Sequence, residues 1–226
     1  MNFPSELSFA SFLQYSPRES GTRGAQSKRV MYAIKNDGSL NFRNTSGETV
    51  QRNAIDAFAS AIARVCHSDS FLASYFGPDS VLIPVPKSAP LKNSGALWVP
   101  KRICVALVAQ KLASDVATVL ERHTPVQKSS TAGKGQRPNP PDHYSSSRIA
   151  DNASFVLGRR IVLVDDVITR GSSFVGFYPH LMEAFPQAQI LCFALLRTES
   201  SLPVDIIVAP VQGVIRYKNG HLSRVP

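Results

Sequence analysis

The chain predicts an α/β domain built on a mostly parallel sheet that is flanked by helices. Short runs of branched apolar residues, such as 161–164 (Ile-Val-Leu-Val), are typical of strands buried on both faces. Segments with apolar residues at helical spacing separate these runs. Because strands that alternate with helices form parallel sheets, this order of elements indicates the fold class.

Composition limits the class of protein. The chain has 226 residues, 43% hydrophobic and 18% charged, as expected of one soluble α/β domain that buries its own core. No apolar run approaches the about 20 residues that span a bilayer, so no membrane partner is expected. Residues 1–13 lack a basic leader, which predicts no secretory signal. Three cysteines without zinc or disulfide spacing predict reduced core thiols and a cytoplasmic location: Cys66, Cys104 and Cys192.

The charge balance is strongly basic, with a formal net charge of +9 and a pI of about 9.7. Such a charge favours polyanionic partners. Two explanations stay open, a nucleic-acid surface or a site for a heavily phosphorylated substrate beside solvated lysines. No basic stripe interleaved with aromatic residues is present, so nucleic acid is the weaker of the two partners.

The first part of the chain, residues 1–50, is predicted to be an N-terminal extension or hood element. Residues 20–29 are basic and contain Gly21 and Gly24, which predicts an irregular segment. Residues 31–35 are compatible with a helix or a short strand. The main domain is then expected to occupy residues 51–226.

Elements of the main domain follow in order. Apolar residues at helical spacing predict a helix over 51–65, and Val81-Leu82-Ile83 predicts a buried strand. Pro100 suits the first turn of a long helix whose apolar face extends to Leu120. A loop of about 124–150 holds little that can be buried, which is typical of a functional lid or a disordered segment. After strand 161–164 come a helix interrupted by Pro179 and apolar segments that predict further strands: 190–196, 205–208 and 214–217.

The run from Ile161 to Ser173 is the most informative stretch. Asp165 and Asp166 follow the buried strand, at the edge of the sheet where α/β proteins bind ligands, and their carboxylates can accept hydrogen bonds from a vicinal diol. A turn then opens a helix, whose backbone N–H groups suit a phosphate. The alternative is a solvated turn with a helix N-cap. The unbroken order favours a ribose 5-phosphate cradle with Gly171 for close approach and three hydroxyls: Thr169, Ser172 and Ser173.

This run resembles the phosphoribosyl-diphosphate (PRPP) signature of type I phosphoribosyltransferases. The resemblance implies that fold, with Asp165 and Asp166 on the ribose hydroxyls and residues 169–173 around the 5-phosphate. Arg170 stands where the family often has a small residue, so it either reinforces phosphate binding or faces solvent. Over roughly residues 81–198 the order of segments is most similar to the ComF-like, competence-associated branch, although the cysteine-rich zinc motif of that branch is absent.

The resemblance also implies a diphosphate loop and a lid. The candidate loop follows strand 81–83 and contains Pro86, Lys87 and Ser88, and its alternative is an ordinary Pro-rich turn with a solvated lysine. The lid would exclude water from a cationic sugar centre. Its candidates are cations for the diphosphate and a proton-transfer group, with solvated residues as the alternative: Lys134, Arg137, Arg148 and His143.

The expected activity is therefore Mg²⁺-dependent displacement of diphosphate from PRPP by a nitrogen nucleophile, a nucleobase or related acceptor. Mg²⁺ is implied by the charge of the diphosphate and would be held mainly by substrate and water, with Asp165 and Asp166 as the candidate protein ligands. A homodimer is a further candidate assembly. The alternative is a non-catalytic nucleotide-sensing or nucleic-acid-associated protein, or a stress or defence effector, that keeps the PRPP pocket.

Overall fold

The computed structural model describes residues 2–18, 21–68, 71–91, 95–127, 137–151, 160–199 and 207–226. Their strands are β1 (Glu6–Tyr15), β2 (Ser39–Arg43), β3 (Thr49–Asn53), β4 (Ser80–Pro84), β5 (Asp115–Val116), β6 (Leu120–Arg122), β7 (Ser147–Ile149), β8 (Arg160–Ile168), β9 (Gln189–Thr198), β10 (Val208–Lys218) and β11 (His221–Val225). Their helices are α1 (Thr22–Lys35), α2 (Ala54–Cys66), α3 (Val99–Ala109), α4 (Pro140–Ser145) and α5 (Ser172–Ala184).

Seven strands form the central sheet, in the order β11-β10-β1-β9-β8-β4-β5. The strands from β1 to β5 in this order are parallel to their neighbours, whereas β10 is antiparallel to both β1 and β11. Two small antiparallel pairs, β2-β3 and β6-β7, lie outside the sheet. The predicted α/β class with a mostly parallel sheet is confirmed.

Helices cover both faces of the sheet. The first apolar cluster joins Val162 and Val164 of β8 to α1, α2 and α3. The second cluster joins Ile161 and Leu163 of the same strand to α5. This alternation is why β8 reads as a continuous apolar run, because each of its faces meets a helical layer.

The N-terminal part departs from its sequence prediction. Helix α1 begins at Thr22, directly after Gly21 with φ of 91°, so the expectation of an irregular segment over 20–29 is wrong for this part. The segment has weak helix propensity, and burial of Val30 and Ile34 in the core stabilises it. Strand β1 lies within the central sheet, between β9 and β10. The predicted domain boundary at residue 50 stays a prediction.

Helix α3 is shorter than its apolar spacing predicts. It ends at Ala109, and Lys111 adopts a φ of 60° that turns the chain away from the helix axis. The carbonyl of Leu112 then accepts a hydrogen bond from the N–H of Gly77 (2.8 Å), and the chain continues into β5 and β6. Residues 112–120 therefore reach the core as strands, which the apolar spacing alone does not distinguish from a helix.

Part of the predicted loop of about 124–150 is regular structure. Asn139 caps α4 through a capping box with Asp142, and β7 follows. Residues 128–136 lie outside the described part of the chain. Helix α5 continues through Pro179, where an interruption was expected, and β10 extends the predicted piece 214–217 to 11 residues. No helix among the described residues is long and apolar enough to cross a membrane.

Candidate functional site

The acid pair lies at the carboxyl end of β8, with its two side chains directed into different layers. The Asp165 Oδ2 atom accepts a hydrogen bond from the Ser173 hydroxyl of α5 (2.9 Å). On the other side, Asp166 Oδ2 accepts one from the ammonium of Lys35 at the end of α1 (2.6 Å). The Asp165 Oδ1 atom accepts the backbone N–H of Asp166 (2.8 Å). The pair is thus held between the two helical layers.

The two carboxylates have different electrostatic surroundings. Burial and the negative charge of Asp166 raise the pKa of Asp165 above its ordinary value, against the opposing effect of Lys35. Burial alone would lower the pKa of Lys35, but the charge of Asp166 and their hydrogen bond raise it. Lys35 is therefore a protonated counter-ion for Asp166 throughout the neutral range.

The turn after β8 presents backbone donors. Gly171 has a φ of 88° and begins α5 without a side-chain cap, so the first N–H groups of the helix have no hydroxyl or carboxylate from the N-cap position. Thr169 and Arg170 are exposed. Ser172 donates its hydroxyl to the Pro138 carbonyl (2.7 Å), and Ser173 donates its own to Asp165. The turn thus offers an anion mainly backbone N–H groups, with two of the three predicted hydroxyls already donated within the protein.

The candidate diphosphate loop is adjacent to the acid pair. The N–H of Val85, just after β4, donates to the Val164 carbonyl of β8 (2.8 Å), so both strands release their chains at the same edge. The Lys87 ammonium donates to the Leu97 carbonyl (2.9 Å) and keeps two further N–H donors. The carbonyl of Ser88 accepts the N–H of Val126 (2.7 Å), which braces this loop along with Pro86.

The four lid candidates separate in space. Lys134 lies outside the described residues. Arg137 is exposed and precedes Pro138, whose carbonyl holds Ser172, so it lies beside the phosphate turn. Arg148 is exposed on β7 and pairs with Glu121 (3.4 Å). The structure thus brings Arg137, but not Arg148, to the start of α5.

His143 is buried in α4 rather than exposed on a lid. Its Nδ1 atom accepts a hydrogen bond from the Arg122 guanidinium (3.2 Å), and its ring lies 5.5 Å from that of Phe177. Burial and the charge of Arg122 lower the pKa of His143 to about 3. The imidazole is therefore neutral near pH 7. It is held within the layer between α4 and α5, where it braces the structure instead of meeting an incoming nucleophile.

Sequence reasoning missed two residues close to the acid pair, Lys35 and Tyr15. Tyr15 ends β1 at the same carboxyl edge, because β1 is parallel to β9 and β9 to β8. Burial raises the pKa of Tyr15, while the charges of Lys35 and Arg137 act in the opposite direction. No local pattern marks either residue, since their position depends on the order of strands in the sheet.

A divalent cation fits the donors at this edge. Asp165 and Asp166 supply adjacent carboxylates, and the described residues hold no group of three or more His, Cys, Asp or Glu side chains that would form a complete cage. Mg²⁺ commonly uses one or two carboxylates together with water and substrate phosphates. The pair therefore suits a Mg²⁺ ion whose remaining ligands come from substrate and solvent.

Replacing Lys35 by methionine is expected to lower the free energy of unfolding by about 1 kcal/mol at pH 7, because the largely buried Asp166 loses its counter-ion while Lys35 itself is partly exposed. Since the pKa of Lys35 is raised in the folded state, the stabilisation is complete below its ordinary value of 10.5 and is lost as the pH rises through the folded-state value. Urea denaturation at several pH values measures this. Arg29→Met, an exposed change on the same helix, is the control. Equal stability of wild type and Lys35→Met at pH 7 would contradict the expectation.

Comparison with known proteins gives likenesses at low identity. No protein-family model matches the chain, and no curated protein matches it. Among solved structures, adenine phosphoribosyltransferase from Leishmania donovani is 13% identical, with 83% of each chain covered and a TM-score of 0.36. The Saccharomyces cerevisiae enzyme, complexed with an imino-altritol bisphosphate and adenine, is 14% identical over 75% of this chain and 89% of that chain (TM-score 0.33). UMP synthase from Leishmania donovani is 14% identical over 77% and 32% (TM-score 0.33).

Proposed function

We propose that this protein is a Mg²⁺-dependent phosphoribosyltransferase that binds PRPP and transfers its phosphoribosyl group to a nitrogen nucleophile. The observation that carries the proposal is the juxtaposition of three parts at one edge of the sheet. These are the acid pair Asp165 and Asp166, the uncapped start of α5 at Gly171, and the Lys87 loop on the neighbouring strand. Together they match a ribose, a 5-phosphate and a diphosphate in the order in which PRPP carries them.

The reaction would be a substitution at the anomeric carbon. The C1–O bond breaks with its electron pair leaving on the diphosphate, the nitrogen lone pair forms the C1–N bond, and the nitrogen proton passes to water. Asp165 and Asp166 would orient the ribose through its hydroxyls, and Lys87 would stabilise the charge that develops on the leaving diphosphate. When bound with the substrate, Mg²⁺ supplies charge neutralisation at the diphosphate, with Asp165 and Asp166 as the protein's own donors.

Calorimetric titration of PRPP with Mg²⁺ tests the proposal. Binding to the Asp165→Asn/Asp166→Asn double variant is expected to be at least about 100-fold weaker than to wild type, because two charge-assisted hydrogen bonds contribute roughly 1.5 kcal/mol each. Asp151→Asn, an exposed change in the turn after β7, is the matched control and should bind as wild type does. Absence of binding to wild type, or equal binding to the double variant, would sink the proposal.

The net charge of +9 supports a second candidate, a nucleic-acid-associated or nucleotide-sensing protein, or a stress or defence effector, that keeps the pocket without turnover. A salt-sensitive complex with RNA or DNA that is unchanged in the double variant would favour it. Release of diphosphate that disappears in the double variant would favour the enzyme. The ComF-like assignment, the homodimer and the cytoplasmic location stay predictions.

A further inference from the structure

A cavity of about 620 Å³ lies beyond the Lys87 loop, between the first turns of α3 and the strand β6. Its lining includes Lys87 and Thr118 but neither residue of the acid pair. The volume is in the range that small-molecule sites commonly have, about 300–1,000 Å³. The cavity is therefore a candidate ligand site separate from the ribose cradle.

One wall of this cavity is apolar and accessible. Leu91, Leu97 and Val105 are 48%, 43% and 47% exposed, which makes them three of the most exposed large apolar side chains among the described residues. Trp98 lies beside them, with its indole N–H donated to the Val85 carbonyl (2.7 Å). Exposed apolar side chains that converge on one concave surface indicate a binding site more than scattered ones do.

The opposite contribution is positive charge. Lys101 lies over the Trp98 ring (5.9 Å to its centroid), and Lys87 reaches the same cavity. Arg102 is already matched by Asp37 (3.2 Å) and Asp56 (2.7 Å). The acidic residue in the lining, Glu121, pairs with Arg148 outside it.

Arg122 is the residue that most needs an explanation. Its side chain is buried, yet among the described residues no carboxylate lies within ion-pair distance of its guanidinium. Its partners are all uncharged: the Lys87 carbonyl (3.0 Å), the Ser146 hydroxyl, the His143 imidazole and the face of the Phe177 ring. Burial lowers the pKa of Arg122 to about 10. A buried cation without a counter-ion is unfavourable, so an anion in the adjoining cavity would stabilise it.

We propose that this cavity binds an organic anion, a planar ring that carries a carboxylate or a phosphate. The ring would lie against the apolar wall of Leu97, Trp98 and Val105, and the anionic group would face Arg122 and Lys101. The site goes beyond the proposed transfer of a phosphoribosyl group and does not depend on it. Because Arg122 also holds the Lys87 carbonyl, occupancy of the cavity would be felt in the candidate diphosphate loop.

Titration with naphthalene-2-carboxylate, and with its uncharged analogue naphthalene-2-carboxamide, separates the two parts of the recognition. Trp98 is the one tryptophan of the chain, so its indole N–H gives a single assigned reporter in a ¹⁵N–¹H spectrum. The carboxylate is expected to shift this signal saturably and to bind at least about tenfold more tightly than the amide. The absence of saturable binding, or equal affinities for the two probes, would overturn the proposal.

Four variants locate the binding. Lys101→Gln and Val105→Glu alter exposed lining residues and are expected to weaken the carboxylate several-fold, whereas Lys218→Gln, an exposed change on β10, should not. Arg122→Gln, where thermal melting shows that it folds, is expected to weaken it most. A folded Arg122→Gln that binds as wild type does would overturn the assignment of the anion.

Two further results distinguish this site from the ribose cradle. The Asp165→Asn/Asp166→Asn variant should bind the carboxylate normally, whatever happens to PRPP. Loss of carboxylate binding in that variant would overturn the proposal of a separate site. Complete displacement of the probe by inorganic diphosphate would also overturn it, because the cations would then belong to the diphosphate site.

Discussion

Substituting Gly171 by alanine is expected to abolish PRPP binding and to lower the free energy of unfolding by about 2–4 kcal/mol, the sum of a left-handed backbone penalty and overpacking. Gly171 has a φ of 88°, which disfavours any side chain. A Cβ atom built there would lie 2.6 Å from Cδ1 and 2.8 Å from Cγ1 of Ile215, a fully buried side chain of β10. The turn can relieve this clash only by moving away from β10, which displaces the backbone N–H groups proposed for the 5-phosphate.

The chain offers a matched control for the backbone term. Gly220 has a φ of 76°, and a Cβ atom there meets nothing within 4 Å, so Gly220→Ala should cost only about 1 kcal/mol. Adding Ile215→Ala to Gly171→Ala should restore part of the PRPP affinity, because the space for the Cβ atom is recovered. Urea denaturation and calorimetry measure both effects. Similar losses in Gly171→Ala and Gly220→Ala would show that close packing on Ile215 is not the cause.

Asp165→Asn is expected to stabilise the fold at neutral and alkaline pH while it weakens PRPP about tenfold, through the loss of a charge-assisted hydrogen bond to the ribose. Burial and the neighbouring Asp166 raise the pKa of Asp165, so its ionised form is disfavoured in the folded state. Asparagine keeps the shape without the charge. Its side-chain carbonyl can accept the Asp166 N–H, and its amide can donate to the Ser173 hydroxyl oxygen.

The sign of the pH dependence follows from the raised pKa. The contribution of wild-type Asp165 to stability is complete below its ordinary pKa of 3.8 and is lost as the pH rises through the folded-state value. Each unit of raised pKa corresponds to about 1.4 kcal/mol. The advantage of Asp165→Asn should therefore grow as the pH increases from 4 to 8 in urea denaturation. A constant difference over that range would contradict the expectation.

The neighbouring acid should respond in the opposite direction. Asp166→Asn removes the carboxylate that pairs with Lys35 at 2.6 Å, so it is expected to destabilise the protein at pH 7. The two substitutions differ only in which acid is changed, which makes each the control for the other. Equal effects on stability would show that the two carboxylates do not differ in their surroundings as the structure indicates.

The sequence by itself determined the parts of the fold that depend on contiguous residues. β4, β8, β9 and the start of α5 lie where apolar runs and turn residues predict them, because a strand buried on both faces needs an uninterrupted apolar run. The adjacency of Asp165, Asp166 and the Gly171 turn was readable for the same reason, as one strand and one helix carry all of it. The α/β class followed from the alternation of such segments.

Only the tertiary structure decided which distant residues meet the acid pair. Lys35 is separated from Asp166 by 131 positions, and it arrives there because α1 covers the face of β8 that Asp166 points into. The same is true of the contact of Ile215 with Gly171 and of the hydrogen bond from Arg122 to the Lys87 loop. Such contacts depend on strand order and layer packing, for which hydrophobic periodicity carries no information. The boundaries of α1 and α3 were also decided by packing, since burial outweighs the small differences in intrinsic helix propensity.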